Sequence, residues 1–261
     1  MNTNRSHLIL ASLLLIIVVA ACAFSPAAAN PPGNILLGLT PSAGGGCANA
    51  YFPTSSGTTW SYSSRGSVLG DYTFTRTVAD VSATGFTMND LTSLAAGTSS
   101  SVKWNCQNGN LAALDAGAAS LNVASTAVKI TSTSVTADGY NIPNTFAAGT
   151  AWAEKVTVLG TVTSGNRSMD SQIVSALKCT AGAGAESVKV PAGAFDAVKA
   201  SCTETIGVSA MVQATPMPAG VASTLDITNW YAKGVGLVKS VRVNNTTGNT
   251  TTIELTSYKI Q

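Results

Sequence analysis

Hydrophobic and polar residues alternate along most of the chain beyond residue 58, in short runs broken by Gly, Pro, Asn and Asp. Asp71 to Val81 sets Tyr72, Phe74 and Val78 on one side and Thr73, Thr75 and Thr77 on the other, the period of two that marks a strand with one buried face. Similar runs predict strands over Thr59–Ser63, Gly85–Asn89, Ser101–Gln107, Leu111–Leu114, Ala127–Val135, Ala151–Val162, Met169–Cys179, Glu186–Val190, Phe195–Val208 and Thr251–Ile260. Asn108-Gly109 and Pro191-Ala192-Gly193-Ala194 read as hairpin turns, residues 213–223 as a loop, and 245–250 as a further turn. The alanine-rich stretch Ala112–Ser125 is the one place where a helical turn is expected. The most patterned stretch is Asn229 to Ser240, within a single strand predicted over Leu225–Asn244. Its glycines, Gly234 and Gly236, would bend it, with Val235, Leu237, Val241 and Val243 following at even spacing against a core.

The N-terminus follows a different pattern. Leu8 to Ala21 is an almost unbroken apolar run behind Arg5, short of the roughly 20 residues that span a bilayer and suited to an export signal. Two cleavage readings compete. Val19-Ala20-Ala21-Cys22 resembles a bacterial lipobox, with Val19 where Leu is more usual, and would make Cys22 a lipid-bearing first residue anchored in a membrane. Ala27-Ala28-Ala29 is an A-x-A site that would release a soluble secreted or periplasmic chain starting at Asn30. The spacing of Cys22 from the apolar run favours the lipobox. The chain then divides into a signal peptide over residues 1–21, a Pro/Gly/Ala-rich flexible tether over 22–50 and a β domain over 51–261.

Composition bears on class more than on function. Charged residues are 10% of the chain, whereas Thr, Val and Gly favour strands and turns. The expected fold is all-β, mainly antiparallel. Without a basic cluster, nucleic acid is not an expected partner. Cys22 is either lipidated or removed, which leaves Cys47, Cys106, Cys179 and Cys202, an even number in an exported chain. Pairing Cys47 with Cys106 and Cys179 with Cys202 keeps each bridge within one half of the domain, and the alternation turns Cys106, Cys179 and Cys202 toward a core.

Candidate chemistry is sparse. The one histidine, His7, lies in the signal, so triad catalysis and His-ligated zinc have no residues to use. Asp71, Asp80, Asp90, Asp170, Glu186 and Glu204 are scattered singly and read as solvated surface charge. Glu154 and Glu204 fall on core-facing sides of their strands, beside Trp152 and Cys202. No catalytic residue, metal site or cofactor is expected. Trp60, Trp152, Trp230 and Tyr231 could line an apolar groove, although tryptophan in a β protein commonly fills the core. Gly57-Thr-Thr-Trp60 echoes Gly149-Thr-Ala-Trp152, each behind a phenylalanine (Phe52, Phe146). This allows two related halves of about 90 residues, with a chance match as the alternative and one domain as the reading kept.

Three blocks carry a family resemblance: Tyr51-Phe52-Pro53 with Gly57-Thr-Thr-Trp60-Ser-Tyr62, then Val190 to Val198, then Trp230 to Lys239. Together they resemble a group of exported bacterial proteins and lipoproteins of unknown function, similar in fold to the half-barrel of the lipoprotein carrier LolA. The resemblance implies a curved half-barrel or open barrel-like sheet whose concave side could hold acyl chains. The expectation is a non-enzymatic cell-envelope β domain, binding or carrying an apolar or lipid ligand. The alternative is a structural or interaction domain with a packed core and no small ligand.

Overall fold

The computed structural model describes residues 45–94, 99–114, 128–164, 166–212, 215–216 and 221–261. The export signal, Cys22, most of the tether and the expected helical turn beyond Leu114 lie outside them. Among the described residues, a 3-10 turn over Gly45–Cys47 leads into thirteen strands. These are β1 (Thr59–Arg65), β2 (Tyr72–Ala79), β3 (Gly85–Thr92), β4 (Ser99–Gln107), β5 (Asn110–Ala113), β6 (Val128–Gly139), β7 (Ala151–Ser164), β8 (Arg167–Val190), β9 (Gly193–Val212), β10 (Thr215–Pro216), β11 (Val221–Ala232), β12 (Gly236–Asn244) and β13 (Thr250–Lys259). Twelve of them run in the order β5-β4-β3-β2-β1-β13-β12-β11-β9-β8-β7-β6, and β10 pairs with β9 off this path. The pairing is antiparallel throughout, and the sheet curls almost to closure, leaving one unsealed seam between β5 and β6. The open barrel-like sheet expected from the sequence is therefore present, curled further round than a half-barrel.

Three expected boundaries change. The run predicted as one bent strand over Leu225–Asn244 is a hairpin of β11 and β12. Gly234 (φ 74°) and Gly236 (φ 111°) serve a tight turn closed by the Val235 N–H donating to the Ala232 carbonyl. Reversing the chain there moves the buried phase: Val238 and Ser240 are inaccessible, while Leu237, Val241 and Val243 are half-buried on the other side. Met169–Cys179 and Glu186–Val190 are parts of one long strand, β8, whose pairing with β9 slips between Ala181 and Ala185. Finally, the fold begins before residue 51, since Cys47 and Asn49 are buried.

That early segment plugs one end of the barrel. Asn49 donates through Nδ2 to the carbonyls of Gly109 and Pro143. Ala50 accepts from Gly234 N–H, and Gly46 N–H donates to Ala83. Cys47 is bonded to Cys106 on β4, closing a loop of sequence separation 59, which by chain entropy contributes roughly 4 kcal/mol. The second bridge joins Cys179 and Cys202, which face each other on β8 and β9.

The echoed Gly-Thr-x-Trp segments form matching corners. Gly57 N–H donates to Val78 and Val78 N–H to Thr58; in parallel, Gly149 N–H donates to Ala181 and Ala181 N–H to Thr150. Thr58 and Thr150 each close a turn, onto Ser55 and Ala147. In both corners the phenylalanine packs on the tryptophan, with ring centroids 5.3 Å apart for Phe52–Trp60 and 5.4 Å for Phe146–Trp152. Each indole N–H then reaches a backbone carbonyl, Val235 for Trp60 and Asn141 for Trp152.

Gly236 stands where β12 meets the first of these corners, and a Cβ there would lie 3.2 Å from Trp60 Nε1. Gly236→Ala adds left-handed strain to that contact and is expected to cost roughly 2–3 kcal/mol. Gly234→Ala shares the left-handed backbone but has open space for its methyl, so about 1 kcal/mol is expected. Denaturant titration of the two variants checks the difference.

Candidate functional site

The structure separates the residues expected to line a groove. Trp60 (1% exposed) and Trp152 (6%) are enclosed in the core, and Tyr231 is buried with them, its ring stacked on Phe146 at 5.0 Å. Trp230 faces the opposite way. On the outside of the sheet its indole N–H donates to Glu186, and the Lys199 ammonium lies 5.9 Å from its ring centroid. Trp104, also inward, is stacked on Phe52 and Phe86. The four residues proposed as one lining thus share no open surface.

What the core does contain is a polar cluster that the alternation did not bring out. Arg76 follows Phe74 on the inward side of β2, directly opposite Asp90 on β3. The two form a bidentate pair, Nε to Oδ1 at 2.8 Å and Nη2 to Oδ2 at 2.6 Å, with side-chain exposures of 23% and 6%. Arg76 Cζ also sits 5.5 Å from the centre of the Phe74 ring. Asp90 is therefore not the solvated surface charge expected from its isolation in sequence. Burial disfavours the Arg76 charge, but Asp90, by charge and by hydrogen bond, raises the guanidinium pKa on balance.

Tyr62 and Tyr231 approach the same pair. Burial drives the Tyr62 hydroxyl well above the ordinary phenol range; Asp90 and Tyr231 add to the rise and Arg76 opposes it. Its proton goes to the Leu237 carbonyl at 3.0 Å. Burial likewise pushes Tyr231 up to about 12, against the lowering effects of Arg242, the Asn229 hydrogen bond and Arg76. Both phenols are thus hydrogen-bonding groups at neutral pH, and neither is poised as a base.

The two carboxylates singled out on core-facing sides also find places. Glu204 is half-buried and accepts from Ser175 Oγ at 2.7 Å. Glu154 is 5% exposed; its Oε1 accepts from Ala113 N–H on β5 at 2.8 Å and its Oε2 from Asn141 Nδ2 at 3.1 Å. Among the described residues, no group of three His, Cys, Asp or Glu could hold a metal ion.

An open depression of about 750 Å³ crosses β7, β8, β9 and β11. Its middle row is Trp152, Cys179, Cys202 and Ile227, all turned inward; the flanking rows carry Lys178, Thr180, Ser201, Thr203, Asp226 and Thr228. Asp226 is already engaged, accepting from Thr203 Oγ1 at 3.1 Å and from Asn245 Nδ2 at 2.9 Å. The flanking side chains, Ala151 and Ala153 among them, are exposed or half-exposed, and four of the eight are hydroxylic.

These features define an antiparallel β-barrel domain with an aromatic core that holds a buried Arg76–Asp90 pair. Within that class, a family model described as DUF3108-like matches residues 80–255, about two thirds of the chain, and the chain belongs to that family. Two crystal structures are similar. One is titled a lipoprotein of Parabacteroides distasonis, provisionally so named, and is 19% identical over 81% of this chain and 99% of its own, with a TM-score of 0.50. The other, titled an exported protein with a YmcC-like fold, is from Bacteroides fragilis; it is 18% identical over 81% of this chain and all of its own, with a TM-score of 0.49. No curated protein matches the chain.

The Arg76–Asp90 pair yields a test. Asp90→Asn leaves a largely enclosed guanidinium without its counter-charge and is expected to cost roughly 3 kcal/mol. Arg76→Met combined with Asp90→Leu removes both charges together and should recover most of that loss. Chemical denaturation of the single and double variants reads the difference.

Proposed function

We propose that this protein is a non-enzymatic cell-envelope domain that works through its outer surface, as a structural or interaction module, with an interior filled by its own side chains. The observation that carries this reading is the enclosure of Trp60 and Trp152, each with its indole N–H bonded to a backbone carbonyl. A carrier of acyl chains would expose such rings on an open concave wall; here Trp60 is 1% exposed, and Trp152, although it underlies the depression across β7, β8, β9 and β11, is 6% exposed. The apolar run before Cys22 supports export and a lipid anchor, and the two similar structures carry the words exported and lipoprotein in their titles.

Titration of the Cys22→Ser protein with a fluorescent fatty acid tests the interior. The expected result is no saturable binding and no change in tryptophan emission. One-to-one saturable binding that is lost on replacing Trp152 by alanine would instead establish the carrier reading. The anchor has a separate test. Mass spectrometry of detergent-extracted protein from a lipoprotein-processing bacterial host is expected to find an acylated Cys22 at the N-terminus; an unmodified chain starting at Asn30 would exclude it.

A further inference from the structure

The seam between β5 and β6 is built unlike every other strand boundary in the barrel. Among the described residues, the other neighbours in the sheet order share ladders, whereas β5 meets the end of β6 through one bridge, Leu111 to Ile142. Three backbone bonds make that bridge: Leu111 N–H to Ile142, Ile142 N–H to Leu111 and Asn141 N–H to Leu111, at 2.8–3.0 Å. Side chains supply the rest. Asn49 spans the seam from Gly109 to Pro143, Asn144 Nδ2 donates back to the Asn108 carbonyl, and Asn110 Oδ1 receives the Asn144 N–H. Glu154 is the one carboxylate among these contacts, joining Ala113 on β5 to Asn141 beyond β6.

We infer that the barrel opens reversibly along this seam, with Glu154 as the clasp that holds β5 to the β6–β7 hairpin. A ladder resists opening because its bonds break together, while isolated side-chain bonds can yield one at a time. Glu154 accepts from both sides of the seam through separate oxygens, Ala113 N–H on one and Asn141 Nδ2 on the other, so the clasp ties β5 directly to the loop beyond β6. The inference stands apart from the proposed function: a packed barrel and a ligand carrier could each open here.

Hydrogen exchange of the full chain at neutral pH, read at single-residue resolution, tests it. The Leu111, Ala113 and Ile142 amides are expected to exchange at least about a hundredfold faster than the ladder amides of β8 and β9, through local opening. Glu154→Gln keeps size but replaces one of the two acceptor oxygens by a donor, which breaks one side of the clasp, and should speed Ala113 and Ile142 about tenfold further while leaving β8 and β9 unchanged. Equal protection of the seam and the β8–β9 ladder in the unaltered protein would overturn the inference. So would a uniform acceleration in the variant, which would make Glu154 an ordinary stabilising residue. If Glu154→Gln does not fold, Asn141→Ala removes the other half of the clasp and is read the same way.

Discussion

The barrel depends on two side-chain donors that stand in for a missing ladder. β12 pairs with β13 only over Lys239–Val243, while β13 continues along β1 to Lys259. Residues 236–238 of β12 have no ladder partner on β13. The Trp60 indole donates to Val235 and the Tyr62 hydroxyl to Leu237. A buried carbonyl left unsatisfied costs on the order of 1–3 kcal/mol, so these two residues of β1 make the divergence tolerable. The tip of the β8–β9 hairpin enters the same gap, with Ala192 N–H donating to Leu255 and Val188 and Val190 joining the core. From this follow the need for glycine at 236, the plugged end beneath it and the closure of the sheet through β1 and β13.

The two Phe/Gly-Thr-x-Trp corners show the same solution used twice. Each turns the chain into a strand, exchanges two backbone bonds with the strand that follows, and sends an indole to a carbonyl elsewhere. The corner at Trp60 stabilises the split between β12 and β13, and the corner at Trp152 stabilises the loop that forms the seam. A four-residue echo in a Gly/Thr-rich chain could have arisen by chance, but the shared hydrogen-bond pattern makes it a structural repeat. The repeat covers the corners alone, because five strands precede the seam and the remainder follow it.

Inside, aromatic packing near the plug gives way to polar pairing. Arg76 and Asp90 neutralise one another, Tyr62 donates to the Leu237 carbonyl, Tyr231 accepts from Asn229 Nδ2, and Ser240 is fully buried. The Arg76–Asp90 pairing also specifies register, since a one-residue slip of β2 would carry Arg76 away from Asp90 to the outer face. The seam is the exception, where one bridge between the buried Leu111 and Ile142 and a set of side-chain hydrogen bonds stand in place of a ladder.

Much of the fold was legible because strand alternation is a local property. Tyr72, Phe74 and Val78 could be set on one face, the Asn108-Gly109 turn predicted, and the four cysteines paired by halves, all from neighbours in sequence. Arg76 has the same parity as Phe74, a signal for the buried pair, yet only folding brings β3 alongside and supplies Asp90. Glu154 was marked by its core-facing position, but its partners come from the far edge of the sheet. The Trp230–Lys239 stretch shows the division most clearly. The sequence by itself determined that this was strand, rich in aromatics and punctuated by glycine. Only the tertiary structure decided that the glycines reverse the chain, because Trp60 occupies the space beside Gly236. Once reversed, Val241 and Val243 turned outward and Ser240 turned in, since a period of two records alternation but not which face meets the core.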